Sequence, residues 1–186
     1  MKEIKGIYQK YKEDVVPNWI ESKKFKSIMA VPRITKVSVN MGLGAVKEDA
    51  KAFEQLLAEF TQIVGQKPVV TKAHHAIAGF NVREGMNVGV KVTLRGKKMY
   101  AFLEKVFNYV LPRTRDFRGL PNNGFDGNGN YSFGLIDQMV FLEIDPNKVK
   151  RRHGMQATIV TNANDDTIAA QLLTDIGLPF AKEEEE

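Results

Sequence analysis

QKPVVTKAHHAIAGFNVREGMNVGVKVTLRGKK, residues 66–98, decides how this chain is read. The stretch reads as a strand, a loop, a second strand and the start of a helix. Lys67, Lys72, Arg83, Lys91, Arg95, Lys97 and Lys98 stand there against a single acid, Glu84, while the whole chain nets only +5. The positive charge is therefore concentrated in this stretch, as a polyphosphate partner requires. Its second strand explains how the charge is displayed. Val88, Val90, Val92 and Leu94 alternate with Asn87, Gly89, Lys91, Thr93 and Arg95. Side chains of a strand point to opposite sides in turn, so one side is aliphatic and the other is polar and free of acids. A solvated strand face usually mixes both signs of charge, which favours a binding face over an ordinary exposed one.

Working outward, Ile34–Met41 repeats the pattern, with Val37, Val39 and Met41 alternating with Lys36, Ser38 and Asn40. Upstream, Lys2–Val16 has helical spacing, and Pro17 is expected to end that helix or to start a turn. Gly42 and Gly44 turn the chain into a helix over Lys47–Val64, whose stripe is Phe53, Leu56, Leu57, Phe60, Ile63 and Val64, with Gly65 as its C-terminal cap. Pro68–Lys72 is the strand before the loop His74–Glu84. After the central stretch, a helix over Lys97–Leu111 is expected to stop at Pro112. Residues 113–135 are crowded with glycine, asparagine and aspartate and read as a long irregular loop. Met139–Ile144 reads as a continuous apolar strand, Asp145–Gly154 as a basic turn, and Gln156–Thr161 as a β-branched strand. The helix Asp165–Ile176 closes the fold, capped by Asn164 or Asp165.

The order α-β-α-β-β-α-β-β-α predicts an α+β fold: a mixed or antiparallel sheet of about five strands, with helices packed on one face and the other face open. Residues 1–180 are expected to form a single domain with long loops at 73–85 and 112–138. Residues 181–186 form an acidic tail that offsets part of the basic excess.

Composition narrows the function. The hydrophobic share of 43% supports a real core, and the absence of cysteine removes disulfides, thiolate metal sites and thiol nucleophiles. No apolar run approaches the roughly 20 residues of a membrane span, and MKEIKGIYQKYKEDVV holds no signal-peptide block. A cytoplasmic protein with no membrane partner is expected. The Gly42-x-Gly44 turn lacks the third glycine of a dinucleotide fingerprint, because Lys47 stands in its place. His74 and His75 point apart in an extended segment and have only His153 to join them, so neither a metal nor another cofactor is expected. No nucleophile–base pair emerges.

Two segments read both ways. The loop His74–Glu84 offers His74, His75, Phe80, Asn81 and Arg83 to unpaired nucleotides, or is a solvated hairpin loop anchored by Phe80. Arg113, Arg115 and Arg118 reach phosphate, or cap the preceding helix. From the residues alone an RNA-docking protein stands first. A nucleotide-dependent enzyme using the glycine turn and a pure protein–protein adaptor are the other classes.

PRITKVSVNMGLG (32–44), GQKPVVTKAHHAIAGFNVREGMNVGVKVTLRGKKMYAFLEK (65–105), LPRTRDFRG (111–119), FDGNGNYSFG (125–134) and DDTIAAQLLTDIGLPF (165–180) resemble the bacterial large-subunit ribosomal proteins of the L-five family. The resemblance runs in order to Phe180 and implies a non-enzymatic protein of the central protuberance, a monomer off the ribosome. It implies binding to 5S ribosomal RNA, attachment of that RNA to the large subunit beside 23S ribosomal RNA and other central-protuberance proteins, contact with P-site transfer RNA, and a bridge to small-subunit ribosomal protein thirteen. The family's hydrogen-bonding residues for 5S RNA match Asn40, Gln66 and Thr93, with Lys36, Lys67, Lys91 and Arg95 supplying phosphate attraction. The loop implied to approach transfer RNA carries Lys72, His74, His75, Phe80 and Arg83, and its two histidines depart from the usual pattern. The Gly-rich loop and Lys148–His153 fall in the region implied for the small-subunit contact. The tail beyond Phe180 matches nothing in the family.

Overall fold

The computed structural model describes residues 6–44, 49–115, 117–147, 149 and 151–181. The elements are α1 (residues 7–21), β1 (Ile34–Gly42), α2 (Ala50–Val64), β2 (Val69–Lys72), β3 (Asn87–Leu94), α3 (residues 96–113), β4 (Tyr131–Leu135), β5 (Met155–Thr161) and α4 (Asp166–Ile176). The fold is α+β in the expected order. The strands make a five-stranded antiparallel sheet in the order β2-β3-β1-β5-β4. Among the described residues no helix is long and apolar enough to cross a membrane.

The chain falls into two compact units: Met1–Val37 with Arg95–Phe133 and Thr158–Glu186, and Ser38–Leu94 with Gly134–Ala157. In the first unit α1 packs on α3 and α4. Tyr8 lies on Tyr100 with ring centroids 4.9 Å apart. Lys10 Nζ donates to the Ile176 carbonyl at 3.1 Å, a cation at the end of α4 where carbonyls lack partners. Trp19 Nε1 donates to Asp175 Oδ2 at 2.7 Å. Asp165, not Asn164, caps α4, accepting from the amides of Thr167 and Ile168.

Neither proline ends its helix. In α1 an α-helical piece, Ile7–Lys10, passes into a π turn, Tyr11–Val15, then resumes as Val16–Glu21 with Pro17 in its first turn. In α3 the π turn is Val106–Val110 and Pro112 sits inside the closing piece, Leu111–Arg113. The reason is the same in both. Proline lacks an N–H and its ring crowds the carbonyl four residues back. The amide just before each proline instead reaches back five residues, Val16 to the Tyr11 carbonyl and Leu111 to the Val106 carbonyl. The widened turn accommodates the ring, and the helix continues. The expected first residues of α1, Lys2 and Ile4, lie outside the described residues.

In the second unit Asp49 caps α2, its Oδ1 accepting from Lys51 and Ala52 at 3.0 and 3.1 Å, and Gly65 ends the helix at φ 69°. The expected start at Lys47 lies outside the described residues. Leu56, Phe60, Ile63 and Val64 are buried, whereas Phe53 and Leu57 are only half-buried. Leu43 between the two turn glycines is buried, and its amide donates to the Val88 carbonyl at 2.9 Å. That amide belongs to the sheet and is not available to a phosphate.

The expected strand at Met139–Ile144 is not one. Gln138–Val140 is a 3-10 turn, with Asp137 accepting from the Met139 amide at 2.9 Å. Phe141 and Ile144 are buried while Leu142 between them is 62% exposed. That is the three-residue spacing of a turn, not the alternation of a strand. Gln138 is buried, donates to the Arg151 carbonyl at 3.0 Å, and accepts from the His153 amide. The strand lies instead at Tyr131–Leu135, inside the stretch expected to be an irregular loop. Tyr131, Phe133 and Leu135 alternate inward there, past Ser132 and Gly134. The glycines before it serve a tight approach: a Cβ at Gly124 would come within 2.5 Å of the Ser132 carbonyl.

Candidate nucleic-acid interface

On β1, Val37, Val39 and Met41 are buried, while Lys36 and Ser38 are partly exposed and Asn40 is exposed. On β3, Val90, Val92 and Leu94 are buried, Lys91 is exposed and Thr93 is partly so. Both expected alternations are present, and no acid stands on the polar side of either strand. Antiparallel pairing sets Val69 opposite Lys91 and Thr71 opposite Gly89, which brings Thr71 to that same side. Gly89 carries no side chain for a spatial reason. A Cβ there would lie 2.9 Å from Thr71 Oγ1 and 3.1 Å from the Met41 carbonyl. The space that a side chain would take is filled by these two neighbours, and Gly89 is buried.

The residues singled out in the sequence divide as follows. Asn40, Gln66, Lys67, Lys91 and Thr93 belong to the second unit, and Lys36 and Arg95 to the first. Gln66 Nε2 donates to the Thr93 carbonyl at 3.3 Å, joining two residues 27 apart. Asn40 Nδ2 donates to Gln156 Oε1 at 3.5 Å across 116 residues. Gln156 is exposed on β5 and was not among the expected residues. Ser132 on β4 and Thr158 on β5, also unforeseen, share a hydrogen bond of 2.9 Å. Gln156 and Thr158 alternate with buried Ala157 and Ile159. That signal was present in the sequence but hidden by the β-branched character of the strand. Ser132 lay in the glycine-rich stretch and left no such sign.

The loop between β2 and β3 is closed at its base, with Ala73 N to the Met86 carbonyl at 2.8 Å and Gly85 N to the Ala73 carbonyl at 2.9 Å. Ile77 bridges Val82, and Ala78–Phe80 forms a 3-10 turn. Lys72, His74, His75 and Arg83 are exposed. Phe80 is 71% exposed, so it is not the buried anchor of a plain hairpin loop. Among the described residues no group of three or more His, Asp or Glu could hold a metal ion.

Residues 27–83 match the family model for ribosomal protein L5, and residues 87–180 match the model for the C-terminus of the same ribosomal family. The chain belongs to the ribosomal protein L5 family. It is 49% identical over 176 residues to large ribosomal subunit protein uL5 of Thermoanaerobacter sp. (strain X514), covering 95% of this chain and 98% of that one. It is 51% identical over 177 residues to the uL5 protein of Spiroplasma kunkelii, with coverage of 95% and 98%. With the uL5 protein of Lactobacillus helveticus it shares 50% over 176 residues, again at 95% and 98%. The matched region ends at Phe180, and the acidic tail follows it.

Other basic residues are distributed unevenly. Arg113, Arg115 and Arg118 are exposed. In the turn after Asp145, Lys148 and Lys150 lie outside the described residues. Arg151 and Arg152 are exposed, and Arg152 Nε is 3.4 Å from Asp137 Oδ2. His153, expected among the displayed cations of that turn, is buried. Its burial and the nearby Arg151 push its pKa below 6.5, against a smaller opposing pull from Glu59. It therefore favours the neutral form and adds nothing to the basic surface.

Proposed function

We propose that this chain docks 5S ribosomal RNA on the polar side of β1 and β3 and so helps attach that RNA within the large subunit. As a member of a family of structural ribosomal proteins, it is a non-enzymatic constituent of the large subunit of the bacterial cytoplasmic ribosome. One observation carries the finer reading. Asn40, Lys91 and Thr93 present amide, ammonium and hydroxyl groups from a pre-formed sheet with no acid beside them on those strands, and Gln66 is tied to Thr93. Such a set suits RNA, where Lys67 and Lys91 attract phosphate and the uncharged groups meet ribose and bases.

In this reading Lys72, His74, His75, Phe80 and Arg83 approach P-site transfer RNA, where the exposed Phe80 ring stacks on a base. Arg151 and Arg152, with the glycine-rich stretch before β4, serve the bridge to small-subunit ribosomal protein thirteen. 23S ribosomal RNA and other central-protuberance proteins complete the surroundings, and the free protein is a monomer.

The test is affinity for 5S ribosomal RNA against an unrelated RNA of equal length, at low and at high salt. A preference that survives high salt is expected, because shape-specific hydrogen bonding is less salt-sensitive than counterion release. Equal affinities that collapse together would reduce the basic stretch to a generic polyanion binder. No RNA binding above background would point to an adaptor.

A further inference from the structure

We infer that Gln156 is a positioning residue: it turns the Asn40 amide so that carbonyl oxygen, not N–H, meets the RNA, and the group so recognised is the ribose 2′-hydroxyl. The inference rests on the reading that this side of the second unit docks RNA.

A side-chain amide has two ends of nearly equal shape and opposite hydrogen-bonding character. Which end faces a ligand decides what the residue recognises. Asn40 Nδ2 is directed to Gln156 Oε1 at 3.5 Å, which leaves Oδ1 at the other end of the exposed amide. Gln66 has the same polarity, since Nε2 is directed to the Thr93 carbonyl at 3.3 Å, leaving Oε1. Among the described residues, neither Oδ1 of Asn40 nor Oε1 of Gln66 has a hydrogen-bond partner.

Two outward acceptors select their ligand chemically. A phosphate oxygen only accepts, so it is repelled by a carbonyl oxygen and goes to Lys67 or Lys91. The 2′-hydroxyl of ribose donates, and deoxyribose has none. Exocyclic amino groups of bases also donate, but their place changes with the base, whereas every ribose carries a 2′-hydroxyl. Lysines that hold phosphate and amide oxygens that take the 2′-hydroxyl give a face that discriminates RNA from DNA. Gln156 sets half of that filter without itself needing to touch the RNA.

The probe is 5S ribosomal RNA carrying 2′-fluoro groups at pyrimidines in one transcript and at purines in a second. Fluorine keeps the A-form sugar but cannot donate. Wild-type protein is expected to prefer the hydroxyl RNA over at least one of them by about tenfold. Gln156→Leu frees the Asn40 amide to turn, and the ratio falls toward one. Gln156→Glu still accepts from Nδ2, so it keeps the ratio while its charge lowers affinity for all three RNAs together. An unchanged ratio in Gln156→Leu overturns the inference, as does an equal loss for all RNAs, which is what a merely structural role produces. Specific 5S binding with no fluoro discrimination in the wild type sinks this inference alone. Absence of specific 5S binding sinks the docking reading beneath it.

Discussion

Single residues carry the sharpest consequences. Thr93→Ala and Asn40→Ala are each expected to weaken 5S RNA binding by about 1 kcal/mol or more, because each removes a hydrogen-bonding group at a contact that becomes desolvated. Filter binding on variants with unchanged circular dichroism checks this, and unchanged affinity for both would remove the polar side of the sheet from the reading. Gly89→Ala has a different cost. The new methyl would press on Thr71 Oγ1 and the Met41 carbonyl, at 2.9 and 3.1 Å. Backbone cannot yield as a side-chain tip does, so a loss of about 1–3 kcal/mol in denaturant unfolding is expected. His153 makes stability depend on pH. Its folded pKa lies below 6.5, so the native state takes up a proton less readily than the unfolded chain. Its contribution is complete above 6.5 and is lost as pH falls through the lowered folded value. Melting temperature should therefore fall as pH drops below 6.5, and fall less in His153→Gln. Equal slopes in the two proteins would remove His153 as the cause.

Elements show where local rules hold and where a neighbour overrides them. The cap of α2 follows its local rule, and Asp49→Ala should cost about 1 kcal/mol, read by chemical denaturation. The prolines do not follow theirs, because π turns in α1 and α3 absorb the ring that would break a regular helix. The β2–β3 loop follows neither simple expectation. Its base is hydrogen-bonded, yet Phe80 stands exposed at its tip. Phe80→Ser should leave the melting temperature nearly unchanged while weakening any transfer-RNA contact. A large loss of stability would mean that the ring is structural.

At the scale of the whole molecule, charge is local rather than global. A chain of net charge +5 keeps seven cations within residues 66–98. Lys91→Gln should thus reduce the slope of log affinity against log salt by about 1, while leaving the preference for 5S over unrelated RNA in place. A change in preference without a change in slope would make Lys91 a base reader. The sequence by itself determined what depends on a few consecutive residues: the alternation of Lys91 and Thr93 with Val90, Val92 and Leu94, the cap at Gly65, the order of the elements, and the crowding of charge. Only the tertiary structure decided what depends on residues distant in the chain. It set Asn40 against Gln156 across 116 positions, showed β4 within a glycine-rich stretch, and buried His153 in a turn that reads as basic. The physical reason is that propensity and alternation act within a turn or a strand. Pairing and burial are won by long-range contacts, whose energy no short window of sequence contains.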